Sequence, residues 1–312
     1  MTNKNQTKRI GDWQKLLMGI GFWILLSALL AQLAIVFSGG MLNLSLSELS
    51  PSQQLSNKEW WGLVVCGLFF PSLSFVLAPY VLSKIFRYHW ANDLTLNRKP
   101  IADQLFLSFL LFLFSYAAVG FLLQINQNLT LPSELSEVMK TLEDQSNKIY
   151  QMVLQKNRGV GSIAVVLFMA FFPALMEEIF FRGFVMKRLI GMAGNFHTGI
   201  WLSSFLFAFI HVQPLKLLPM ILLGGILGYV AYFSRSIWAS VSIHFLNNGL
   251  AVLQDYLNKW SQTKIPALEE DFHINPLLAL ASFVAIIALL FLMNKKEKKL
   301  LLLQKNNENS SD

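Results

Sequence analysis

The chain has 312 residues, of which 54% are hydrophobic and 14% charged, with a mean hydropathy of +0.49. These values exclude a pair of ordinary soluble domains and indicate a polytopic membrane protein. The net charge of +7 does not indicate a nucleic-acid partner, because the basic residues lie between and beyond hydrophobic runs instead of in one patch. The single cysteine, Cys66, excludes an intrachain disulfide and a cysteine metal cage.

Eight apolar segments follow one another along the chain. The first four are long enough to cross a bilayer, which takes about 20 helical residues, and the last four are shorter. The first segment is too long for a signal-peptide core, and we expect it to be retained. We therefore predict an all-α, polytopic membrane helix bundle of about eight transmembrane helices. The segments are Trp13–Phe37, Trp61–Phe86, Gln104–Ile125, Gly161–Ile190, Thr198–Val212, Leu217–Phe233, Ile237–Leu253 and Pro276–Met293.

The distribution of lysine and arginine predicts the orientation of the bundle. With the N-terminus placed inside and the connections assigned alternately, 17 of the 25 Lys and Arg residues fall inside and 8 outside. This bias favours a multi-pass protein of the cell membrane with both termini in the cytoplasm. Several tryptophans, Trp60 among them, fall at the ends of the segments, where we expect them to lie at the membrane interface.

Two stretches outside the apolar segments also predict structure. The stretch Leu131–Arg158 mixes apolar and charged residues and predicts an amphipathic helix with Ser133 as its N-cap, lying on the membrane or against the bundle. The tail after Met293 is basic and then polar, and we expect a solvated, partly disordered end. We predict an N-terminal membrane region over 1–158 with three spans and the amphipathic helix, a catalytic core over 159–256, and a last span with its tail over 257–312.

The fourth segment carries charges at membrane depth, in the pattern Glu177-Glu178-x-x-x-Arg182. Each such group costs roughly 2.5 to 3.5 kcal/mol on insertion scales, so its presence favours a function. Glu178 and Arg182 share one helix face, whereas Glu177 points about 100° away. We therefore expect Glu178 to pair with Arg182, and Glu177 to act as a catalytic base. Pro173 cannot donate to the carbonyl four residues before it, so it loosens the helix just ahead of the acids.

Two further polar patterns lie on later segments. His211 ends the run FAFIH, and His244 and Asn248 share one helix face in HFLNN. Counted from the inner edge of each span at helical rise, Glu177, His211, His244 and Asn248 lie about 15, 20, 10 and 17 Å deep. Their similar depth predicts that these groups come together within the membrane.

Two hydrolytic chemistries fit such a group. In the first, Glu177 takes a proton from water, directly or with His211, while His244 and Asn248 donate to the developing oxyanion. In the second, Glu177, His211 and His244 bind a divalent metal such as Zn²⁺ that polarises the water. The sequence leaves both open, and it lacks the His-Glu-x-x-His motif of common zinc proteases.

The three motifs EEIFFRG, FAFIH and HFLNN, in this order, resemble the CAAX protease and bacteriocin-processing (CPBP, or Abi) family, the type II CAAX prenyl endopeptidases. The resemblance covers about Gly161 to Leu253. It implies an intramembrane endopeptidase, labelled a metalloprotease in some descriptions and given a metal-free glutamate mechanism in others. The catalytic positions it implies are Glu177, Glu178, Arg182, His211, His244 and Asn248.

The sequence predicts a peptide or lipidated protein as substrate and membrane lipid as surroundings, and it leaves the oligomeric state open. Two other classes remain as alternatives. One is a non-catalytic bacteriocin-immunity or scaffold protein that binds a partner through the same bundle. The other is a proton-coupled transporter, which intramembrane acids also favour, but no inverted repeat supports it.

Overall fold

The computed structural model describes residues 11–42, 54–129, 132–155, 160–260 and 273–309. It is 88% helical, and these residues contain no strand, which confirms the predicted all-α class. Each of the eight apolar segments corresponds to one helix, although Phe86 and the pair His211 and Val212 lie just beyond the ends of theirs, and a further long helix is amphipathic. The helices are α1 (Asp12–Leu42), α2 (Asn57–Ile85), α3 (Ala102–Gln127), α4 (Ser133–Val153), α5 (Gly161–Ala193), α6 (Phe196–Ile210), α7 (Leu217–Ser234), α8 (Ile237–Trp260) and α9 (Pro276–Asn309).

Six stretches in the described part of the chain are helices long and apolar enough to cross a membrane, where the segment lengths indicated four. The two additional stretches are Pro214–Ser234, which includes α7, and Pro276–Leu303, which lies in α9. Both are longer than the apolar segments predicted there. Helix α6, with 15 residues, is apolar but shorter. Helix α8 continues to Trp260 and is not among the six. The protein is therefore a multi-pass membrane protein.

Helices α2 and α5 are interrupted in the same way. A turn of π-helix ends two residues before a proline in each: Leu63–Phe69 before Pro71, and Leu167–Phe171 before Pro173. In α5 the Phe172 N–H donates to the Leu167 carbonyl, five residues back, and Phe70 of α2 does the same to Val65. The proline in α5 therefore loosens the helix as predicted, by widening one turn. A second π turn, Ile179–Val185, follows the paired acids directly.

Helices α5 and α6 form a tight antiparallel hairpin. Gly194 ends α5 with φ 63°, a left-handed conformation that glycine adopts without a Cβ penalty. Asn195 then caps α6, its side chain accepting a hydrogen bond from the His197 N–H. Farther along α6, a Cβ at Gly199 would lie 2.7 Å from the backbone nitrogen of Ile190, so the hairpin packs backbone to backbone.

The amphipathic helix α4 lies against the bundle. Its Tyr150 hydroxyl donates to Asp255 of α8 at 2.5 Å, and its Glu143 pairs with Lys216 at 2.7 Å. Three expectations for this and neighbouring regions are wrong. The N-cap of α4 is Pro132, without a side-chain bond, and Ser133 is the first helical residue. Trp60 is buried and donates from its indole nitrogen to the Val153 carbonyl at 2.9 Å, because the docked end of α4 covers it.

The third wrong expectation concerns the end of the chain. The predicted disordered tail is helical, since α9 runs without a break through the lysines to Asn309. One of these lysines, Lys296, pairs with Asp103 at the start of α3, which ties the extension to the bundle.

Candidate active site

A buried ion pair lies at the centre of α5. The Arg182 Nη1 and Glu178 Oε1 atoms are 2.8 Å apart, and the side chains are 2% and 0% exposed. The pair follows from the four-residue spacing, which places both groups on one face of the helix. The guanidinium carbon also lies 4.7 Å from the centre of the Phe207 ring of α6. The pair therefore links α5 to α6 as well as joining two turns of α5.

The same arginine reaches a third helix. Its Nη2 donates to the Gly224 carbonyl of α7 at 3.0 Å. This contact is possible because α6 and α7 approach closely: a Cβ at Gly224 would lie 3.0 Å from the Ser204 Cβ. The sequence analysis did not assign Gly224 a role, although small residues at Gly224, Gly225 and Gly228 are typical of close helix packing in membranes.

His244 of α8 lies between the two glutamates. Its Nδ1 is 2.9 Å from Glu178 Oε1, and its Nε2 is 3.8 Å from Glu177 Oε2. The Glu178 carboxylate pairs with Arg182 and can only accept, so Nδ1 carries the proton of this hydrogen bond. Glu178 thus holds the ring of His244 in one orientation, with Nε2 directed toward Glu177.

Glu177 has the more accessible of the two carboxylates. Its side chain is 14% exposed, and its Oε2 lies 3.7 Å from His211 Nε2. The other ring nitrogen of His211, Nδ1, is 2.6 Å from the Phe207 carbonyl. A carbonyl can only accept, so Nδ1 donates, and Nε2 faces Glu177, as an acceptor when the ring is neutral. Phe207 therefore orients His211 through its backbone, a role that the run FAFIH did not reveal.

An apolar layer surrounds these polar groups. Aromatic side chains of α5 and α6 pack on the ion pair, together with residues from α1, α2 and α8. In such surroundings interactions between charges are stronger than at a surface. The buried members nearest the pair are Ile179, Phe180, Phe181, Phe184 and Phe207.

The structure brings together five of the six predicted residues, and Asn248 is the exception. Asn248 lies one helical turn after His244 on α8, as predicted. Its side-chain oxygen accepts a hydrogen bond from Asn247 Nδ2 at 3.4 Å. Within the described residues, no hydrogen bond joins it to either glutamate or either histidine. Its role in the site stays a prediction.

A metal ion does not fit the arrangement as it stands. Across the described ranges, no group of three or more His, Cys, Asp or Glu residues is arranged to hold one. Glu177, His211 and His244 face one another through one carboxylate oxygen and two Nε2 atoms, yet they do not form such a group. The chemistry below is therefore derived from the side chains alone.

Fold and site together define a class: a multi-pass helical membrane protein with a carboxylate and two imidazoles facing one another inside the bundle. Residues 159–250 match the family model described as "Type II CAAX prenyl endopeptidase Rce1-like". This match confirms the predicted resemblance over residues 159–250. The match covers all three motifs and leaves 1–158 and 251–312 outside it. Searches of curated proteins and of solved structures give no significant match.

Proposed function

We propose that this protein is an intramembrane endopeptidase that hydrolyses a peptide bond in a membrane-associated, CAAX-like protein substrate. The match of residues 159–250 to the Rce1-like family model supports a CAAX-type protease. The observation that carries the proposal is the position of Glu177, whose Oε2 faces the Nε2 atoms of His211 and His244 at 3.7 and 3.8 Å. Glu178, in contrast, is occupied by Arg182 and His244, so Glu177 is the acid left for chemistry.

Glu177 and His211 activate water together. When His211 is neutral, both its Nε2 and Oε2 of Glu177 are acceptors, and their separation of 3.7 Å is too long for a direct hydrogen bond. A water molecule beside them donates one hydrogen to each and turns a lone pair toward the scissile carbonyl. As the water attacks, its proton passes to Glu177 as general base. The tetrahedral intermediate then collapses, and the proton goes to the leaving amine.

His244 stabilises the negative charge on the carbonyl oxygen. Its Nδ1–H is directed to Glu178 at 2.9 Å, so Nε2 can donate to an oxyanion only when the ring is an imidazolium. Together the carboxylates of Glu177 and Glu178 balance the positive charges of Arg182 and of this imidazolium. Asn248, one turn further along α8, supplies the second donor in this scheme.

The substrate and the orientation follow from the same proposal. A site in the middle of α5 requires a substrate that reaches into the membrane, as a lipidated C-terminal peptide does. We propose that both termini face the cytoplasm and that the catalytic unit extends from residue 159 to 256, with 1–158 contributing the surrounding spans.

The test is cleavage of a fluorogenic prenylated CAAX peptide by the purified full chain in detergent. We expect Glu177→Gln and His211→Gln each to lower kcat by roughly 10²- to 10⁴-fold, with the melting temperature unchanged. His197→Gln is the matched control, since His197 lies on the same helix as Phe207 and contacts Tyr229, away from the site. Wild-type activity in Glu177→Gln would overturn the proposal.

The metal alternative needs a separate measurement. We expect activity to survive chelation and the active protein to contain no stoichiometric metal, because the side chains alone supply the base and the donors. Loss of activity with chelator, restored by Zn²⁺, would instead favour the metal mechanism. The proposal that the protein is a protease would then still stand.

A further inference from the structure

Two cavities lie side by side at the end of the bundle where α3 begins and α7 ends. Their volumes are about 610 and 440 Å³. Three residues line both cavities: Arg98, Arg235 and Glu297. They come from the loop before α3, the end of α7 and the extension of α9. The cavities therefore form one open pocket between three helices.

The larger cavity has an excess of positive charge. Its lining includes three cations, Arg98, Lys99 and Arg235, and one acid, Glu297, which gives a net charge of +2 (three minus one). Each of the three cationic side chains is exposed. In the described part of the chain none of them has a carboxylate within 4.0 Å, so their charges are available to a ligand. An anion is the ligand that this lining favours.

The lining also contains a buried hydrogen-bond acceptor without a partner. Gln104 is 1% exposed, and its Nε2 donates to the Phe233 and Met293 carbonyls at 3.4 and 3.3 Å. Its Oε1 has no hydrogen-bond partner among the described residues. A buried acceptor left unpaired costs about 1 to 3 kcal/mol, so a ligand that donates a hydrogen bond here gains that energy.

The backbone of Arg235 adopts a strained conformation. Its φ is 54°, in the left-handed region that a non-glycine residue adopts at roughly 1 to 2 kcal/mol. In this conformation its N–H donates to the Tyr232 carbonyl and ends α7 at the cavity. Strained residues of this kind cluster at ligand-binding positions.

Apolar side chains complete the pocket. Ile101, Leu300 and Leu301 line the same cavity as the cations, and the two leucines directly follow the charged run of α9 from Lys295 to Lys299. Cations beside apolar side chains, at the end of a transmembrane bundle, form the environment of a phospholipid at the membrane surface. Basic pockets between transmembrane helices bind anionic lipid headgroups in this way.

We propose that this pocket binds a membrane phospholipid whose headgroup carries a phosphate and a free hydroxyl, as phosphatidylglycerol does. Arg98, Lys99 and Arg235 bind the phosphate, where arginine contributes two-pronged hydrogen bonds. Gln104 Oε1 accepts a hydrogen bond from the hydroxyl, and Ile101, Leu300 and Leu301 form the apolar wall of the pocket. Arg182 lines the smaller cavity, but the residues assigned to the lipid line the larger one and none of them belongs to the Glu177 cluster, so the binding measurement tests this proposal separately from the protease activity.

The test is native mass spectrometry of the purified full chain titrated with phosphatidylglycerol, phosphatidylcholine, phosphatidylethanol and inorganic phosphate. We expect phosphatidylglycerol to bind more tightly than phosphatidylcholine, which has no net charge. We also expect it to bind more tightly than phosphatidylethanol, which has the charge but no headgroup hydroxyl. Each cation near the surface contributes roughly fivefold, so Arg98→Gln with Arg235→Gln should weaken phosphatidylglycerol binding about 30-fold.

The matched control is Lys295→Gln with Lys299→Gln. It removes the same charge from exposed positions on the same extension of α9 that line neither cavity, and we expect wild-type binding. An equal loss in both double variants would show that only surface charge attracts the lipid, and would overturn the site. Equal binding of phosphatidylethanol would overturn the role of Gln104. Inorganic phosphate that binds as tightly as the lipid would overturn the lipid assignment. An unchanged melting temperature of each variant separates binding from folding.

Discussion

Glu178 and His244 are separated by 66 residues in the chain, and Glu178 Oε1 lies 2.9 Å from His244 Nδ1. The same carboxylate oxygen is 2.8 Å from Arg182 Nη1. Glu178 therefore joins α5 to α8, while Arg182 continues the connection to Gly224 of α7. Three helices share one buried network, and its acidic member positions the imidazole that faces Glu177.

This network predicts different outcomes for the two adjacent acids. In Glu178→Gln the buried Arg182 loses its counter-charge, and breaking a buried pair costs about 3 to 5 kcal/mol. We expect a clear fall in the melting temperature of the purified protein, together with loss of activity. In Glu177→Gln we expect loss of activity with little change in melting temperature. Equal destabilisation by the two substitutions would contradict the division of roles.

We expect Arg182→Lys to impair stability and activity although the substitution keeps the positive charge. Arginine pairs with Glu178 through Nη1, donates from Nη2 to the Gly224 carbonyl, and also lies over the Phe207 ring. A single ammonium group cannot make both contacts in the same geometry, nor stack. We expect lower thermal stability and lower kcat in the peptide assay.

The control for this substitution is Arg87→Lys. Arg87 is exposed in the loop after α2, so the same exchange there should leave both measurements unchanged. Wild-type kcat and stability in Arg182→Lys would show that charge alone is enough.

The sequence predicted the contacts within a helix better than those between helices. The contact of Glu178 with Arg182 follows from a spacing of four residues, because helical geometry alone places them on one face. The contact of His244 with Glu178 depends on how α5 and α8 pack, and no local pattern contains that information. For the same reason the sequence could not decide whether α4 docks on the bundle. The helical extension of α9 was missed because its lysines were interpreted as solvated, whereas Lys296 pairs with Asp103.

The hairpin of α5 and α6 gives a prediction on packing. In Gly199→Ala the added Cβ would lie 2.7 Å from the Ile190 backbone nitrogen, and backbone cannot move aside as a side chain can. Overpacking of this kind costs about 1 to 3 kcal/mol, so we expect a lower melting temperature. Gly21→Ala in α1 is the matched control, because a Cβ there meets nothing within 4 Å. If the two variants have the same melting temperature, the close approach of the two backbones does not limit stability.

Docking of α4 gives a prediction on local stability. Burial raises the pKa of Tyr150, as does its hydrogen bond to Asp255, so the hydroxyl stays protonated and keeps donating in alkaline buffers. Tyr150→Phe removes this bond, worth roughly 1 kcal/mol, and leaves Asp255 without that donor. We expect faster hydrogen exchange in α4, measured by mass spectrometry.

Tyr116→Phe serves as the comparison, since Tyr116 is exposed on α3. It should leave the exchange of α4 unchanged. The same slow exchange in Tyr150→Phe would mean that the pair of Glu143 with Lys216 is sufficient to hold the helix.

The π turn of Leu167–Phe171 determines the direction in which the later side chains of α5 point. A bond from Phe172 to Leu167 encloses one residue more than a regular helical turn does. Every residue after it is therefore rotated by about 100° from the direction that an uninterrupted helix would give it. Removing one residue from this turn would let the helix close regularly and leave Glu177 and Glu178 in nearly the same direction, whereas closing the turn without a deletion would rotate both away from the histidines. The wide turn ahead of the acids is thus as necessary to the site as the acids themselves.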